Sequence, residues 1–393
     1  MVSSSSLQAL PRQSTRPTWA EISLAALRAN FRAVQNHVGE SVAVCAVVKA
    51  DAYGHTAAPC ALAFESEGAK WFGVTTTDEG IPLRTAGIRG RILLLSGFWR
   101  GDEEEVVHQR LTATVWESWH VEALNRAAER LRVPPQPVHL KVDTGMGRLG
   151  VPLEDLPSMC RVIRRCTHLS LEGLFTHFAS AEVVDAPETA RQIESFERAL
   201  EAVRDQGLAP PLCHLDNSAA VLSHPETWKN MVRPGIALYG YALPQVRGGK
   251  PVNSSPGALR LRPALSWKTR ILSIKEVGSG RALGYNGTYV TTSPSRIAAL
   301  PVGYADGYSR ALSNRGRVIV RGACAPIVGS VSMDLTLVDV SAVPDAKVGD
   351  EVQLLGSSGA LAVDAAELAR ISGTVPYEIL CGISKRVPRV HLP

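Results

Sequence analysis

No apolar run in this 393-residue chain reaches the roughly 18 residues that cross a bilayer, so no membrane association is expected. The opening stretch, MVSSSSLQALPRQSTRPTW, lacks the apolar segment of a secretory signal, and a cytoplasmic setting follows as the expectation. Seven cysteines (Cys45, Cys60, Cys160, Cys166, Cys213, Cys324, Cys381) are odd in number, scattered and without a C-x-x-C pair, which indicates neither a disulfide framework nor a zinc knuckle. Charge of neither sign dominates. Lys and Arg total 42 against 37 Asp and Glu, a net charge of +5, too mild and dispersed for a nucleic-acid binder. Internal repeats are absent, and residues 246–256 form the only low-complexity candidate.

What is present is core-forming material: 45% of residues are hydrophobic and 20% charged, enough for two domains. Eight short β-branched runs, at 42–48, 71–75, 91–95, 112–115, 138–142, 171–176, 212–215 and 231–233, alternate with amphipathic helical segments such as 117–132 and 188–206. That alternation predicts an α/β fold, an N-terminal (β/α)8 barrel, with a doubly wound open sheet as the competing architecture. Beyond residue 250 the runs at 265–275, 296–302, 317–321, 335–340 and 351–355 have hairpin spacing and few helices between them, predicting a mostly β C-terminal domain. The expected division is a tail over 1–16, the barrel over 17–250 and the β-rich domain over 251–393.

Barrel enzymes place reactive groups where strands end on the C-terminal face. Here those ends carry Lys49 after the first strand, Asp143 and Arg148 after the fifth, and His177 after the sixth. Asn217 and Ser218 follow the seventh, and Arg233 and Gly235 the eighth. Lys49 follows the uncharged run VAVCAVV, where desolvation would lower its pKa and leave an amine able to form an imine. From position alone, a lysine reaching solvent or paired with Asp51 is the favoured account. Ser218 at a helix start and the turn Arg233-Pro234-Gly235-Ile236 suit a phosphate on the loops after strands seven and eight, although an ordinary N-cap and Pro-Gly turn read the same way. An imine-forming lysine and a phosphate cradle together meet the two needs of pyridoxal 5'-phosphate.

Residues 47–55 read VVKADAYGH and resemble the cofactor-lysine signature of the alanine racemases, fold-type III pyridoxal-phosphate enzymes. LKVDTGMGRLG (140–150), GLFTHFA (173–179), DNSAA (216–220), VRPGIALYG (232–240), LGYNGTY (283–289), VGYADGYSR (302–310), SMD (332–334) and VPYE (375–378) resemble further blocks of that family, in its order. The resemblance implies a racemase interconverting L- and D-alanine by two bases and supplying D-alanine for peptidoglycan. It makes Lys49 the cofactor lysine and one base, and Tyr285 the other, acting from the opposite face. It implies cofactor contacts from Tyr53, His177, Asn217, Ser218, Arg233, Gly235, Ile236 and Tyr377, with Arg233 facing the ring nitrogen. Arg148 and the Met333 backbone would hold the substrate carboxylate, with Lys141, often carbamylated in the family, and His214 in support. A homodimer with shared sites is implied too, because the family brings Tyr285 and Met333 across a subunit interface.

Three positions depart from the family pattern: Ser330 where many relatives carry Arg, Thr56 in place of a usual Gly, and Glu182 where an Asp is common. Tyr377 keeps the residue of alanine-specific members. The alternatives are a broader-specificity amino-acid racemase, a pyridoxal-phosphate-binding protein without racemase activity, or a decarboxylase of the same fold type. From a different class comes a metal-dependent barrel hydrolase using His177, His214 and Asp143 with a carbamylated Lys141.

Overall fold

The computed structural model of the protein describes residues 16–242, 245–248, 250–252 and 259–393. The tail expected over 1–16 lies outside the described residues except for Arg16, as does part of the 246–256 stretch. The chain forms two compact units, one of Ala25–Arg262 and one joining the residues up to Leu24 to Pro263–Pro393.

The first unit is built on eight parallel strands in chain order: β1 (Ala43–Val47), β2 (Trp71–Val74), β3 (Arg91–Leu94), β4 (Leu111–Val115), β5 (Gln136–Lys141), β6 (Leu169–Phe175), β7 (Leu212–His214) and β8 (Met231–Val232). β2 and β4 are buried at every residue, as expected of strands covered on both faces. Each strand pairs with the next from β1 to β7, and β8 returns to β1 through Ala43 opposite Met231. The gap between β7 and β8 has no regular ladder. Asn230 bridges it, its side-chain oxygen accepting from the Cys213 N–H at 2.7 Å, while the Arg233 N–H donates to the Asp216 carbonyl at 3.0 Å. The sheet is therefore a nearly closed barrel, and the open-sheet alternative falls away. Outer helices bury one stripe each; Ser118–Leu131 turns His120, Val121, Leu124, Ala127 and Ala128 inward at helical spacing.

In the second unit a seven-stranded sheet runs in the order Ala323–Pro326, Arg317–Val320, Glu351–Ser358, Leu265–Arg270, Thr18–Ser23, Arg389–Leu392, with Leu361–Val363 on Glu351–Ser358. Beside it lies a three-stranded sheet of Ser273–Val277, Ser295–Leu300 and Thr336–Asp339. Two helices, Ala365–Ser372 and Pro376–Gly382, interrupt the β pattern. Residues 18–23, expected within the barrel span, belong here instead: Thr18–Ser23 runs antiparallel to Leu265–Arg270 and parallel to Arg389–Leu392. Burial of Trp19, Ala20 and Ile22 in this sheet is the physical reason. Among the described residues, no helix is long and apolar enough to cross a membrane.

Candidate active site

Lys49 stands half-buried directly past β1, and the backbone after it is unusual. Ala50, Asp51, Ala52 and Tyr53 have φ of 52°, 52°, 55° and 53°, a left-handed turn made without glycine. Each such residue costs roughly 1–2 kcal/mol, so the surroundings must over-determine it. They do so with hydrogen bonds. The Ala52 N–H donates to the Val48 carbonyl at 2.8 Å, the Ala50 N–H to Glu79 Oε1 at 2.8 Å, and the Ala57 N–H to Asp51 Oδ1 at 2.7 Å. Glu79 spends its other oxygen on the Thr75 N–H at 2.6 Å, tying the turn to the end of β2. Thr56 follows at φ 73°, ψ 111°, a conformation that favours glycine.

Lys49 is one of a cluster of cations at the strand ends. Lys141, last residue of β5, is pushed down to about 8 by burial and then by the charges of Arg233, Arg148 and Lys49, with Asp143 opposing. Asp143 does not form an ion pair with it: Asp143 Oδ1 accepts from the N–H groups of Gly145, Met146 and Gly147 at 3.0, 2.9 and 3.1 Å, shaping the loop that carries Arg148. His177 is held well below the usual histidine range by burial and by Arg233, Lys141, Arg148 and Lys49, so it stays neutral. Arg233 is buried over the Phe175 ring, 5.1 Å from its centre, and burial lowers it to about 10 against the pull of Asp216 and Cys45. Its Nη2 donates to the Thr176 and Leu215 carbonyls, both at 2.8 Å, and reaches His177 Nδ1 at 3.3 Å; Nη1 donates to His214 Nδ1 at 2.6 Å.

After β7, Asn217 caps the helix Ser218–Ser223, its Oδ1 accepting from the Ala219 and Ala220 N–H groups at 3.0 Å each. Ser218 is thereby fixed at the first helical position, and its Oγ accepts from the Gly235 and Ala237 N–H groups at 2.8 and 3.2 Å. Gly235 must lack a side chain because a Cβ there would sit 2.2 Å from the Tyr53 hydroxyl. Ser218, Gly235, Ile236 and Tyr53 thus converge on the loops after β7 and β8, a cradle of N–H and O–H groups suited to a phosphate.

Tyr285, Met333 and Tyr377 belong to the second unit. Tyr285 is 70% exposed between the short strands Ala282–Leu283 and Tyr289–Val290. It lines a cleft of about 770 Å³ with Tyr304, Arg310, Ser330 and Met333, and the Ser330 hydroxyl contacts the Tyr285 carbonyl at 3.5 Å. Tyr377 is half-buried at the start of Pro376–Gly382 and is not among the residues lining that cleft. Sequence reasoning overlooked Glu79, His139 and Glu172. His139 had a readable signal: it lies two residues before Lys141 on one strand and shares its face.

The metal-hydrolase alternative loses its ligands here. His214 engages both ring nitrogens, Nδ1 with Arg233 and Nε2 with His139 at 2.9 Å, and the described residues contain no cluster of three or more His, Cys, Asp or Glu able to hold a metal. A (β/α)8 barrel with a strand-end lysine among cations and a phosphate cradle, joined to a β unit, defines a two-unit barrel enzyme built for an anionic cofactor or substrate. The family is specific. The models "Alanine racemase, N-terminal domain" and "Alanine racemase, C-terminal domain" match residues 22–243 and 264–391, and the chain belongs to the alanine racemase family. It is 42% identical to an alanine racemase of Halothermothrix orenii over 96% of this chain and 97% of that one. The identity to the alanine racemase of Symbiobacterium thermophilum is 43%, with the same shares covered. Among solved structures it resembles an alanine racemase of Clostridium difficile, with 36% identity, TM-score 0.88 and 97% of each chain covered. It also resembles an alanine racemase of Bartonella henselae described with covalently bound pyridoxal phosphate, with 28% identity, TM-score 0.83, and 96% and 99% covered.

Proposed function

We propose that this chain interconverts L- and D-alanine with pyridoxal 5'-phosphate, in the cytoplasm, supplying D-alanine for peptidoglycan. The observation that carries the reading is the meeting, at one barrel mouth, of Lys49 with its cationic neighbours and the Ser218–Gly235 cradle. The donor set fits the cofactor: Ser218, Tyr53 and the Gly235 and Ile236 backbone for the phosphate, with Tyr377 as a further ligand, and Lys49 for the aldehyde. When bound, the cofactor supplies an electron sink for the pair left on Cα as its proton departs.

The remaining work falls to the protein's own residues. Racemisation needs an acid/base group on each face of Cα, and Lys49 Nζ and the Tyr285 hydroxyl take these parts, the lysine on the D face and the tyrosine on the L face. The Arg148 fork and the Met333 N–H receive the substrate carboxylate. Arg233 donates and cannot accept, so a ring nitrogen facing it stays unprotonated, which restrains side reactions that need a stronger sink. Exposed Tyr285 is supplied by the second copy in a homodimer.

Borohydride reduction of the purified protein followed by peptide mass mapping tests the assignment. The cofactor adduct is expected on Lys49, with alanine racemase activity lost in Lys49→Ala; an adduct elsewhere, or none, overturns it. Mixing Lys49→Ala with Tyr285→Phe chains tests the shared site: verified heterodimers recover part of the activity, and heterodimers that stay inactive refute the sharing.

A further inference from the structure

Behind Arg233, a line of polar side chains runs through the barrel interior toward the opposite end. Arg233 Nη1 donates to His214 Nδ1 at 2.6 Å, and His214 Nε2 meets His139 Nδ1 at 2.9 Å. His139 Nε2 stands 3.5 Å from Glu172 Oε2, a long contact, and the same oxygen accepts from Arg91 Nη2 at 2.6 Å. Arg91 is the first residue of β3, so the line spans the strands from their beginnings to the mouth. Both imidazoles are fully buried, and His214 stacks on Phe175 at 4.6 Å.

The backbone is shaped around this line. β5 and β6 pair regularly up to Val138 opposite Leu171, then His139 faces Gly173, leaving Glu172 as the extra residue of a bulge. Bulges re-aim side chains. Gly173 completes the accommodation, since a Cβ there would lie 2.4 Å from His139 Nδ1. Because an arginine can only donate, His214 Nδ1 must accept and its proton sits on Nε2. His139 Nδ1 must then accept in turn and its own proton sits on Nε2, a buried nitrogen with no hydrogen-bond partner other than the Glu172 carboxylate it approaches to 3.5 Å.

We propose that Glu172 is a positioning residue for Arg233. Acting through His139 and His214, it fixes both tautomers and strengthens the acceptor that holds the guanidinium, setting how Arg233 meets the cofactor ring nitrogen. The effect on the cofactor rests on the function proposed above; the tautomer assignment does not.

The first measurement uses the wild-type protein labelled with 15N-histidine. His139 and His214 are expected to be neutral with the proton on Nε2, and a proton on Nδ1 of either ring overturns the proposal, whatever the enzyme's activity. The second uses Glu172→Gln, similar in shape but without the charge. The His214 Nδ1 resonance should move toward that of a weaker acceptor, the visible absorption of the bound cofactor should shift, and kcat for alanine should fall roughly tenfold with KM little changed. A folded Glu172→Gln with wild-type resonances, absorption and kcat refutes the role. If borohydride finds no adduct on Lys49 while the resonances behave as expected, the functional reading fails and the tautomer chain stands.

Discussion

Thr56→Gly should stabilise the protein. Thr56 sits at φ 73° and ψ 111°, a conformation that a β-branched residue adopts only under strain, at a cost of roughly 1–3 kcal/mol. Its side chain makes no capping hydrogen bond to the helix it precedes, so no such bond is lost with it. Against the relief stand glycine's extra freedom in the unfolded chain, about 0.5–1 kcal/mol, and the loss of a half-buried methyl, less than about 0.8 kcal/mol. The balance is a gain of about 1 kcal/mol, or roughly 2–4 °C in Tm for a unit of this size. Urea unfolding followed by tryptophan fluorescence, at one fixed saturating cofactor concentration, measures it as a higher midpoint at unchanged slope. Thr56→Ala is the control: it removes the same methyl and hydroxyl but keeps a Cβ in the strained conformation. A glycine variant that unfolds no later than the alanine one would rule out strain at Thr56.

Gly235→Ala should raise the Kd for pyridoxal 5'-phosphate at least about tenfold, because the new Cβ displaces the Tyr53 hydroxyl from the cradle; an unchanged Kd in a fluorescence titration would contradict the cradle. Lys141, if unmodified, gives a pH signature. Its folded value of about 8 lies below the ordinary 10.5, so between those values the unfolded chain binds more protons and stability climbs as pH rises. Denaturation midpoints in carbonate-free buffer should show this climb in wild type and lose it in Lys141→Met; parallel curves would dismiss it.

Much of this was legible in the sequence because barrel strands are short, buried throughout and followed by their functional residues. The run before Lys49 and the polar positions after β5 to β8 show this directly. What could not be read was non-local or backbone-borne. Thr18–Ser23 finds partners more than two hundred residues away, which no local pattern encodes. The left-handed turn at Ala50–Tyr53 uses ordinary L-residues where a glycine would have advertised it. The capping of a helix by the Asn217 side-chain oxygen, which sets Ser218, is likewise a backbone arrangement that residue type alone does not announce. Glu172 is aimed by a bulge, and a one-residue slip of register has no mark in composition.

A ribosome delivers Thr18–Ser23 before the barrel, and its neighbours Leu265–Arg270 and Arg389–Leu392 only after it. The barrel segment is contiguous and can fold as a unit during synthesis, while Trp19, Ala20 and Ile22 wait for Leu265–Arg270 on one side and, later, Arg389–Leu392 on the other. The nascent chain therefore carries a sticky, unpaired strand while the entire barrel is made, and completion of that sheet sews together segments that flank the barrel on both sides.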